Sequence, residues 1–457
     1  MMHVMTERMV STESCKKIAV AGLGKTGISA VRYLMAQGMD VLAVDTRLAP
    51  PGFDQFIIDY PELRYRLGPW AQDVFDQMGQ VIVSPGLSLT DPALQQAAAK
   101  GVELIGDIEL FARQVKAPVL AITGSNGKST VTRLLEAMLR TSNKQVYAGA
   151  NLGEPALDLL QKAIPDYYLL ELSSFQLETL SSLRPEAAVI LNITPDHMDR
   201  YQNISEYAQA KQRIYQHARK MIVNRDDALA SVVCHENNEV IGFTLQVPQD
   251  NDFGVLTVEQ NEYLAFGNKP LLAVNEFTLF GKHNMANALA ALAMGYAIGL
   301  PMPAMLMALR GFVTLPHRMQ VVQKQQGVLW INDSKATNVG ATMAAINGLP
   351  GPLVLIAGGE AKGADFSLLA DAMTEKVKAV LLFGKDAGFI EKAIENRVAV
   401  HHCYSLMQCV KQAHQMAVSG DTVLLAPACA SFDMFTDYQA RGDAFITAVN
   451  QVVQHAN

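Results

Sequence analysis

Ten consecutive residues, Ala121-Ile122-Thr123-Gly124-Ser125-Asn126-Gly127-Lys128-Ser129-Thr130, leave this chain few choices of architecture. The apolar run from Val119 to Ile122 predicts a buried strand, the two glycines a tight loop, and Lys128-Ser129-Thr130 the start of a helix. A loop that joins a strand to a helix N-terminus presents unpaired N–H groups and a partial positive charge. Backbone N–H groups of Gly124, Ser125, Asn126, Gly127 and Lys128 are expected to wrap phosphates, with Lys128 neutralising them and Ser129 ligating Mg²⁺ beside Thr130. Only Ser125 and Asn126 separate the glycines, whereas an ordinary P-loop has four residues there, and this disfavours a Ras-type GTPase.

A strand–loop–helix unit implies a mostly parallel sheet, and the rest of the chain agrees. Apolar β-branched runs alternate with helical patterns from end to end, which predicts an α/β fold. The 457 residues suggest about three domains. Half the residues are hydrophobic and 18% charged, which excludes disorder as the dominant state. Net charge is −7 with no basic block, which argues against a nucleic-acid or anionic-membrane surface. Cys15, Cys234, Cys403, Cys409 and Cys429 are scattered and odd in number, so neither a disulfide framework nor a zinc ribbon is expected, and a reducing cytoplasm fits. The first seventeen residues carry no apolar core of a signal peptide. The apolar stretch Ala286 to Leu300 stops at Pro301, short of the roughly 20 residues of a membrane span, and reads as a buried helix.

Several further segments place chemistry at strand ends. Gly22-Leu23-Gly24-Lys25-Thr26-Gly27 matches G-x-G-x-x-G between a strand and the helix Ile28 to Gln37, with Asp45 ending the next strand, so an NAD site competes here with a plain tight turn. Glu171 ends the strand from Tyr168, and His197 follows the strand Val189 to Ile193; each is a candidate Mg²⁺ ligand or a loop residue bonded to backbone. Lys211 lies within the apolar stripe 204, 207, 208, 214, 215, 218 of an expected helix Ile204 to Ala218. It must snorkel, pair with an acid or change its chemistry. Residues 236–269 suggest short antiparallel strands. Beyond them, Asn332 to Asn338 leaves a strand, with Thr337 or Asn338 as a helix cap. Lys362, in another Gly-rich turn, is equally suited to an anion or to solvent. In Pro427 to Asp433, Cys429 reads as packing and Ser431 as the polar candidate, while His401-His402 read as structural or exposed.

The segments TGSNGKST, Glu171 to Glu178 (ELSSFQLE), Asn192 to Arg200 (NITPDHMDR), GKHNMANALAA from Gly281 and LPHRM from Leu315 together resemble the Mur ligases of peptidoglycan synthesis over nearly the whole chain. Within that family, GLGKTG with Asp45-Thr46-Arg47, the Ser84 turn, GDIELF and above all NDSKATN from Asn332 are similar to the D-glutamate-adding branch. The resemblance implies three domains: a Rossmann-like UDP-substrate domain (1–107), a central P-loop ATPase-like domain (108–312) and a Rossmann-like amino-acid domain (313–457).

It also implies an ATP-dependent amide ligase that adds D-glutamate to UDP-N-acetylmuramoyl-L-alanine through an acyl phosphate, a cytoplasmic monomer without nucleic-acid or membrane partners. Lys25, Thr26, Thr46, Arg47, Ser84, Gly86, Asn151 and His197 would face the UDP substrate, which removes the NAD reading. Asn284, Asn287, Arg318 and Asp333 would join the loop 124–130 around ATP, with Lys128, His197, Lys211 and Arg318 catalytic. Ser129, Glu171, His197 and Lys211, carbamylated by CO₂, would hold two Mg²⁺ ions. Thr337, Lys362, Ser431 and Tyr438 would bind D-glutamate, although Tyr438 stands where the family has Phe and Glu360-Ala361 where it has Asp-Gly. Rivals are another Mur or folylpolyglutamate-type ligase, an NAD-dependent oxidoreductase and a non-catalytic nucleotide-binding regulator.

Overall fold

A computed structural model describes residues 17–151, 153–231, 239–276, 281–312, 316–349, 351–373, 376–395 and 397–454. Cys15, Cys234, Glu236, Leu315 and the stretch before Lys17 lie outside the described residues. The chain forms two compact units: Met1–Pro118 with Tyr147–Ile164 and Leu172–Arg184, and Val119–Val146 with Pro165–Glu171 and Pro185–Asn457.

In the first unit, β1 (Ile18–Ala21), β2 (Val41–Asp45), β3 (Arg64–Leu67), β4 (Gln80–Val83) and β5 (Glu103–Ile105) form a sheet ordered β3-β2-β1-β4-β5. Every pairing is parallel. All four residues of β1 are buried, as expected of a central strand covered on both faces. The strand order reverses at β1, so the loops after β1, β2 and β4 meet at the crevice where α/β sheets bind ligands. The helix after β1 runs from Lys25 to Ala36, three residues earlier than the sequence suggests, because the glycine turn is tighter than a loop of that length need be. Gly27 permits this: a Cβ there would lie 1.8 Å from the Gly22 carbonyl oxygen.

The second unit holds two sheets. Its first contains β6 (Val119–Thr123), β8 (Tyr167–Glu171), β9 (Ala187–Ile190), β10 (Lys220–Asn224), β11 (Glu239–Phe243), β12 (Phe253–Val258), β13 (Asn261–Phe266) and β14 (Lys269–Ala273), with β7 (Val146–Ala150) beginning at the border of the units. Their order is β14-β13-β12-β11-β10-β9-β6-β8. Thus the ends of β6, β8 and β9, which lead into the loop Gly124 to Gly127, Glu171 and His197, lie side by side. The antiparallel expectation holds for β12 to β14 only. β11 runs parallel to β10, a pairing that needs a long connection rather than a hairpin turn.

Two further boundaries differ from the sequence reading. β9 stops at Ile190 because the next groups turn to other partners: Asn192 O accepts from Ser125 N, and Ile193 N donates to Asp227 Oδ2 at 2.7 Å. The helix at Ile204 ends at Gln212 and tightens into a 3₁₀ turn, Arg213–Tyr215. There the Tyr215 hydroxyl is held between Ile190 N and Ile222 O, anchoring the turn to the sheet. The stripe residues Ile214, Tyr215 and Ala218 are buried all the same.

The other sheet comprises β15 (Gln320–Gln325), β16 (Val328–Asn332), β17 (Leu353–Gly358), β18 (Val377–Phe383), β19 (Ala399–His402) and β20 (Thr422–Leu425), ordered β15-β16-β20-β17-β18-β19. Only β15 is antiparallel. Alternate residues feed opposite cores: Ile331, Leu355 and Leu424 one, Trp330, Ile356 and Val423 the other. Helices therefore cover both faces, and the loops after β16, β20 and β17 emerge side by side. No described helix is long and apolar enough to cross a membrane.

Candidate active site

Both glycine-rich motifs end in helices without a side-chain cap. The helices Lys25–Ala36 and Lys128–Thr141 begin after Gly24 and Gly127, with no side chain on their first N–H groups. Asp91, Ser173, Asn203, Asn338 and Ser405 supply that bond on other helices, while those starting at Phe53, Asp107 and Lys282 also go without it. What sets the motif helices apart is the glycine-flanked loop before each, which lets an anion approach the first N–H groups. Gly127 has φ +87°, and a Cβ on it would meet Asn287 Oδ1 at 2.3 Å, so the loop is a cradle that only glycine keeps open. The Lys128 ammonium is tucked onto the carbonyls of Gly124 (2.7 Å) and Ser125 (3.1 Å). Burial lowers its pKa, against the pull of Glu171 and Asp196.

Around this cradle the second unit gathers a cleft lined by Asn126, Gly127, Asn284, Asn287, Arg318 and Asp333, among others. Asn287 Nδ2 donates to Asn284 Oδ1 at 3.2 Å on the first turns of the helix Lys282–Ala297. Arg318 Nη2 donates to Ser129 Oγ at 2.9 Å, joining residues far apart in sequence. Asp333 is buried with Oδ1 accepting from Met319 N, and burial raises its carboxyl to about 6. Thr130 also lines the cleft, and Ser125 Oγ donates to Thr194 O.

Lys211 is 1% exposed. It does not snorkel: Nζ reaches Gly124 O at 3.1 Å and lies 4.6 Å from the Tyr207 ring centroid. Burial drives its pKa well below the ordinary lysine value, with Lys128 adding repulsion. Glu171 is buried, and His197 is half-buried at φ +57° beside Asp196, whose Oδ1 accepts from His197 N. Burial lowers the imidazole's pKa, opposed by Asp196. Among the described residues no three His, Cys, Asp or Glu side chains converge into a metal cluster. The hydroxyl, carboxylate and imidazole of Ser129, Glu171 and His197 suit a hard divalent cation, but an ammonium at 211 cannot ligate one.

The loops beyond the other sheet are stitched together by backbone. Ala428 N donates to Ala336 O, and Glu360 and Ala430 exchange two bonds. Thr337, Lys362, Ser431 and Tyr438 all sit on or beside these loops. Ser431 is buried, while Lys362 is exposed, 5.2 Å from the Phe432 ring. Tyr438 opens the last helix, its carbonyl accepting from Ser334 Oγ and its ring facing Lys335 Nζ at 4.0 Å. Burial, reinforced by Arg318 and Lys128, brings Lys335 down to about 8. Asn338 is the cap of its helix, leaving Thr337 for another role. Cys429 is buried, its thiol pushed up to about 12, as packing requires. His402 pairs with Glu391, away from these loops.

Sequence reading missed Arg441, which is fully buried and donates to Ser334 Oγ and O, Cys429 O and Ala430 O. The available signal was its spacing: Arg441, Phe445, Ala448 and Val449 fall on one buried helix face.

In the first unit, the Asp45 carboxylate accepts from Leu23 N and from the Arg47 guanidinium, so it is engaged by its own chain. Ser84 Oγ donates to Gly22 O at 2.6 Å and holds the glycine turn, and Lys25 Nζ donates to Gly153 O. Thr26 lies on the first turn of the uncapped helix, Thr46 beside Asp45 and Gly86 after β4; Asn151 follows β7.

Comparison with known proteins matches three family models in succession: Mur ligase MurD-like, N-terminal domain (residues 16–106), Mur ligase middle domain (122–295) and Mur ligase, glutamate ligase domain (317–429). A UDP-N-acetylmuramoylalanine--D-glutamate ligase of Nitrosococcus oceani is 48% identical over 95% of this chain and 96% of its own. Its namesake in Pseudomonas aeruginosa is 48% identical over 95% and 97%. Among solved structures, a MurF ligase from Thermotoga maritima in complex with ADP superimposes with TM-score 0.62 at 16% identity, covering 91% of this chain and 96% of that one. A pseudomurein peptide ligase type C from Methanothermus fervidus gives 0.61 at 18%, covering 97% and 100%. These two likenesses speak for the fold.

Proposed function

The chain belongs to the Mur ligase family, and we propose that it joins D-glutamate to UDP-N-acetylmuramoyl-L-alanine at the expense of ATP in peptidoglycan precursor synthesis. The observation that carries this is the bond between Arg318 and Ser129, which brings the segment leading to Asn332–Asn338 onto the phosphate cradle in one cleft. In this reading residues 1–107 hold the UDP substrate, 108–312 ATP and 313–457 the amino acid, and the enzyme works as a cytoplasmic monomer.

A carboxylate and an amine do not condense at neutral pH, because the oxygen to be expelled is a poor leaving group. The L-alanyl carboxylate therefore attacks the γ-phosphoryl group of ATP, giving an acyl phosphate and ADP, and the amine of D-glutamate then displaces phosphate. Lys128 and Arg318 spread the negative charge that develops on the transferring group. Asn284, Asn287 and Asp333 bind the nucleoside end. Lys25, Thr26, Thr46, Arg47, Ser84, Gly86, Asn151 and His197 bind the UDP substrate. Lys362, Thr337, Ser431 and Tyr438 hold the two carboxylates of D-glutamate and set its handedness. Mg²⁺ bound near Ser129, Glu171 and His197 would neutralise phosphate charge. Carbamylation of Lys211 by CO₂ would convert a buried cation, costly where it lies, into an anionic ligand. Supporting that reading is its near-complete burial, which disfavours the ammonium and leaves a neutral amine able to react with CO₂.

Phosphate release from ATP, measured with UDP-N-acetylmuramoyl-L-alanine and D-glutamate, L-glutamate, L-alanine or no amino acid, tests the assignment. Release confined to the D-glutamate tube is expected. Equal release with another amino acid overturns the branch, and silence with magnesium and bicarbonate present overturns the reaction.

A further inference from the structure

We propose that Asn338 is a positioning residue that couples the phosphoryl-transfer half of the site to the amino-acid half, with Asp196 as its partner. The proposal rests on the ligase reading above. Both N–H groups and the oxygen of the Asn338 amide are engaged. Oδ1 accepts from Ala341 N at 2.9 Å and so caps the helix Val339–Gly348. Nδ2 donates to Asp196 Oδ2 at 3.2 Å and to Asn126 Oδ1 at 3.3 Å. Asn126 belongs to the phosphate cradle and itself reaches Thr194 Oγ1, while Asp196 holds the backbone of His197. On the other side, Asn338 directly follows Thr337.

The approach is close as well as bonded. A Cβ added at Gly340 would lie 3.1 Å from Thr194 Oγ1 and 3.6 Å from Asn126 Nδ2, so the capped helix packs its first turn against the same loop. Capping alone explains one of the three bonds and asks only for an acceptor. The two donated bonds need an amide, because aspartate and serine cap equally well but have no donor of that reach. One side chain thus fixes the loop of His197 relative to the residue beside it that faces the amino acid. An offset of about 1 Å between reacting groups costs roughly a hundredfold in rate.

This separates two roles by substitution. Asn338→Asp keeps the cap and sets a carboxylate against Asp196; Asn338→Ser keeps the cap and removes only the donor. Both keep the cap and are expected to stay folded with a urea midpoint modestly below wild type, Asn338→Asp the lower of the two, to lower kcat by about tenfold to a hundredfold, and to change KM for ATP less than threefold (about half a log unit). The double variant Asp196→Asn with Asn338→Asp restores a donor–acceptor pair in the opposite sense, and should recover at least about fivefold of the rate lost by Asn338→Asp.

A second readout needs no turnover. Nitroxides at the exposed positions Gln202 and Asn347 report the spacing of the His197 loop and the capped helix. Their distance distribution should be narrow in the otherwise unaltered chain and broad or displaced with Asn338→Asp. Wild-type kcat in both single variants overturns the proposal, as does an unchanged distance distribution. A double variant no faster than Asn338→Asp also overturns it. A narrow distribution in a chain that releases no phosphate leaves the coupling intact and fails the ligase reading instead.

Discussion

Replacing Arg441 by methionine tests how the two loops after β16 and β20 are held. The guanidinium is fully buried and donates to four acceptors: Ser334 Oγ at 3.0 Å, Ser334 O at 2.8 Å, Cys429 O at 3.1 Å and Ala430 O at 3.2 Å. Methionine fills much of the volume but leaves the Ser334 and Cys429 carbonyls without a donor, at about 1–3 kcal/mol each where water cannot reach them, whereas Ala430 O keeps its bond from Glu360 N and Ser334 Oγ its bond to Tyr438 O. Acting against this is relief of a buried charge. Burial brings the guanidinium down to about 10, equivalent to about 3 kcal/mol of desolvation that the variant no longer bears. Two orphaned carbonyls at about 2 kcal/mol each and two further lost bonds at about 1 kcal/mol each outweigh that relief, and a net loss of about 3 kcal/mol is expected.

Trp330, buried 6.4 Å from the Phe445 ring on the same helix as Arg441, supplies the assay. In a Trp70→Phe background its fluorescence follows this sheet alone through a urea titration. The midpoint should fall in Arg441→Met, with a smaller fall in Arg441→Lys, which keeps the charge but not the fork. KM for D-glutamate should rise in both, because Ser431 and Thr337 ride on the released loops. A midpoint shift below about 0.5 kcal/mol in Arg441→Met would refute the reasoning, since it would mean the four bonds merely offset the desolvation.

Asp107 offers a pH test in the other unit: it is buried beside Gln176, and burial raises its carboxyl to about 6. Because this folded value lies above the unfolded one, ionisation opposes folding as pH climbs from about 4 to about 6, at a cost approaching about 3 kcal/mol. The stability of Asp107→Asn relative to wild type, read from Trp70, should therefore grow between pH 4.5 and 7.5; a pH-independent difference would contradict it. Gly127→Ala places a methyl 2.3 Å from Asn287 Oδ1 at φ +87°, so KM for ATP should rise by about tenfold or more with little change in KM for D-glutamate. Lys211→Ala should lose at least about a hundredfold in kcat, and wild-type protein in ¹³C-bicarbonate should show a carbamate carbon resonance that this variant lacks; a variant with wild-type kcat refutes the role.

Local patterns carried much of this protein. The unit from Val119 to Thr130, the glycine turn at Gly22 to Gly27 and the strands Val328–Asn332 and Thr422–Leu425 are legible because apolar period, glycine and helix start coincide within a dozen residues. The anomaly of Lys211 was legible too, since a lysine on an apolar stripe conflicts with its neighbours whatever lies opposite. What could not be read locally depends on partners far along the chain. The end of β9 is set by Asp227, the end of the helix at Gln212 by Tyr215 reaching Ile190 and Ile222, and the parallel sense of β11 by its pairing with β10.

Strand order decided the rest. Placing β6 between β8 and β9, and β20 between β16 and β17, brings Glu171, His197 and the phosphate cradle to one edge and three loops to another. No periodicity encodes that order, which follows from how faces pack when whole sheets assemble. The same holds for Arg441, Arg318 on Ser129 and Asn338 on Asp196. Sequence alone located the glycine-flanked loop from Gly124 to Lys128 between its strand and its helix, because the strand, the loop and the helix start follow one another within a dozen residues. Only the tertiary structure decided which side chains hold those loops in place, because a buried donor is matched to acceptors that the chain supplies many residues away.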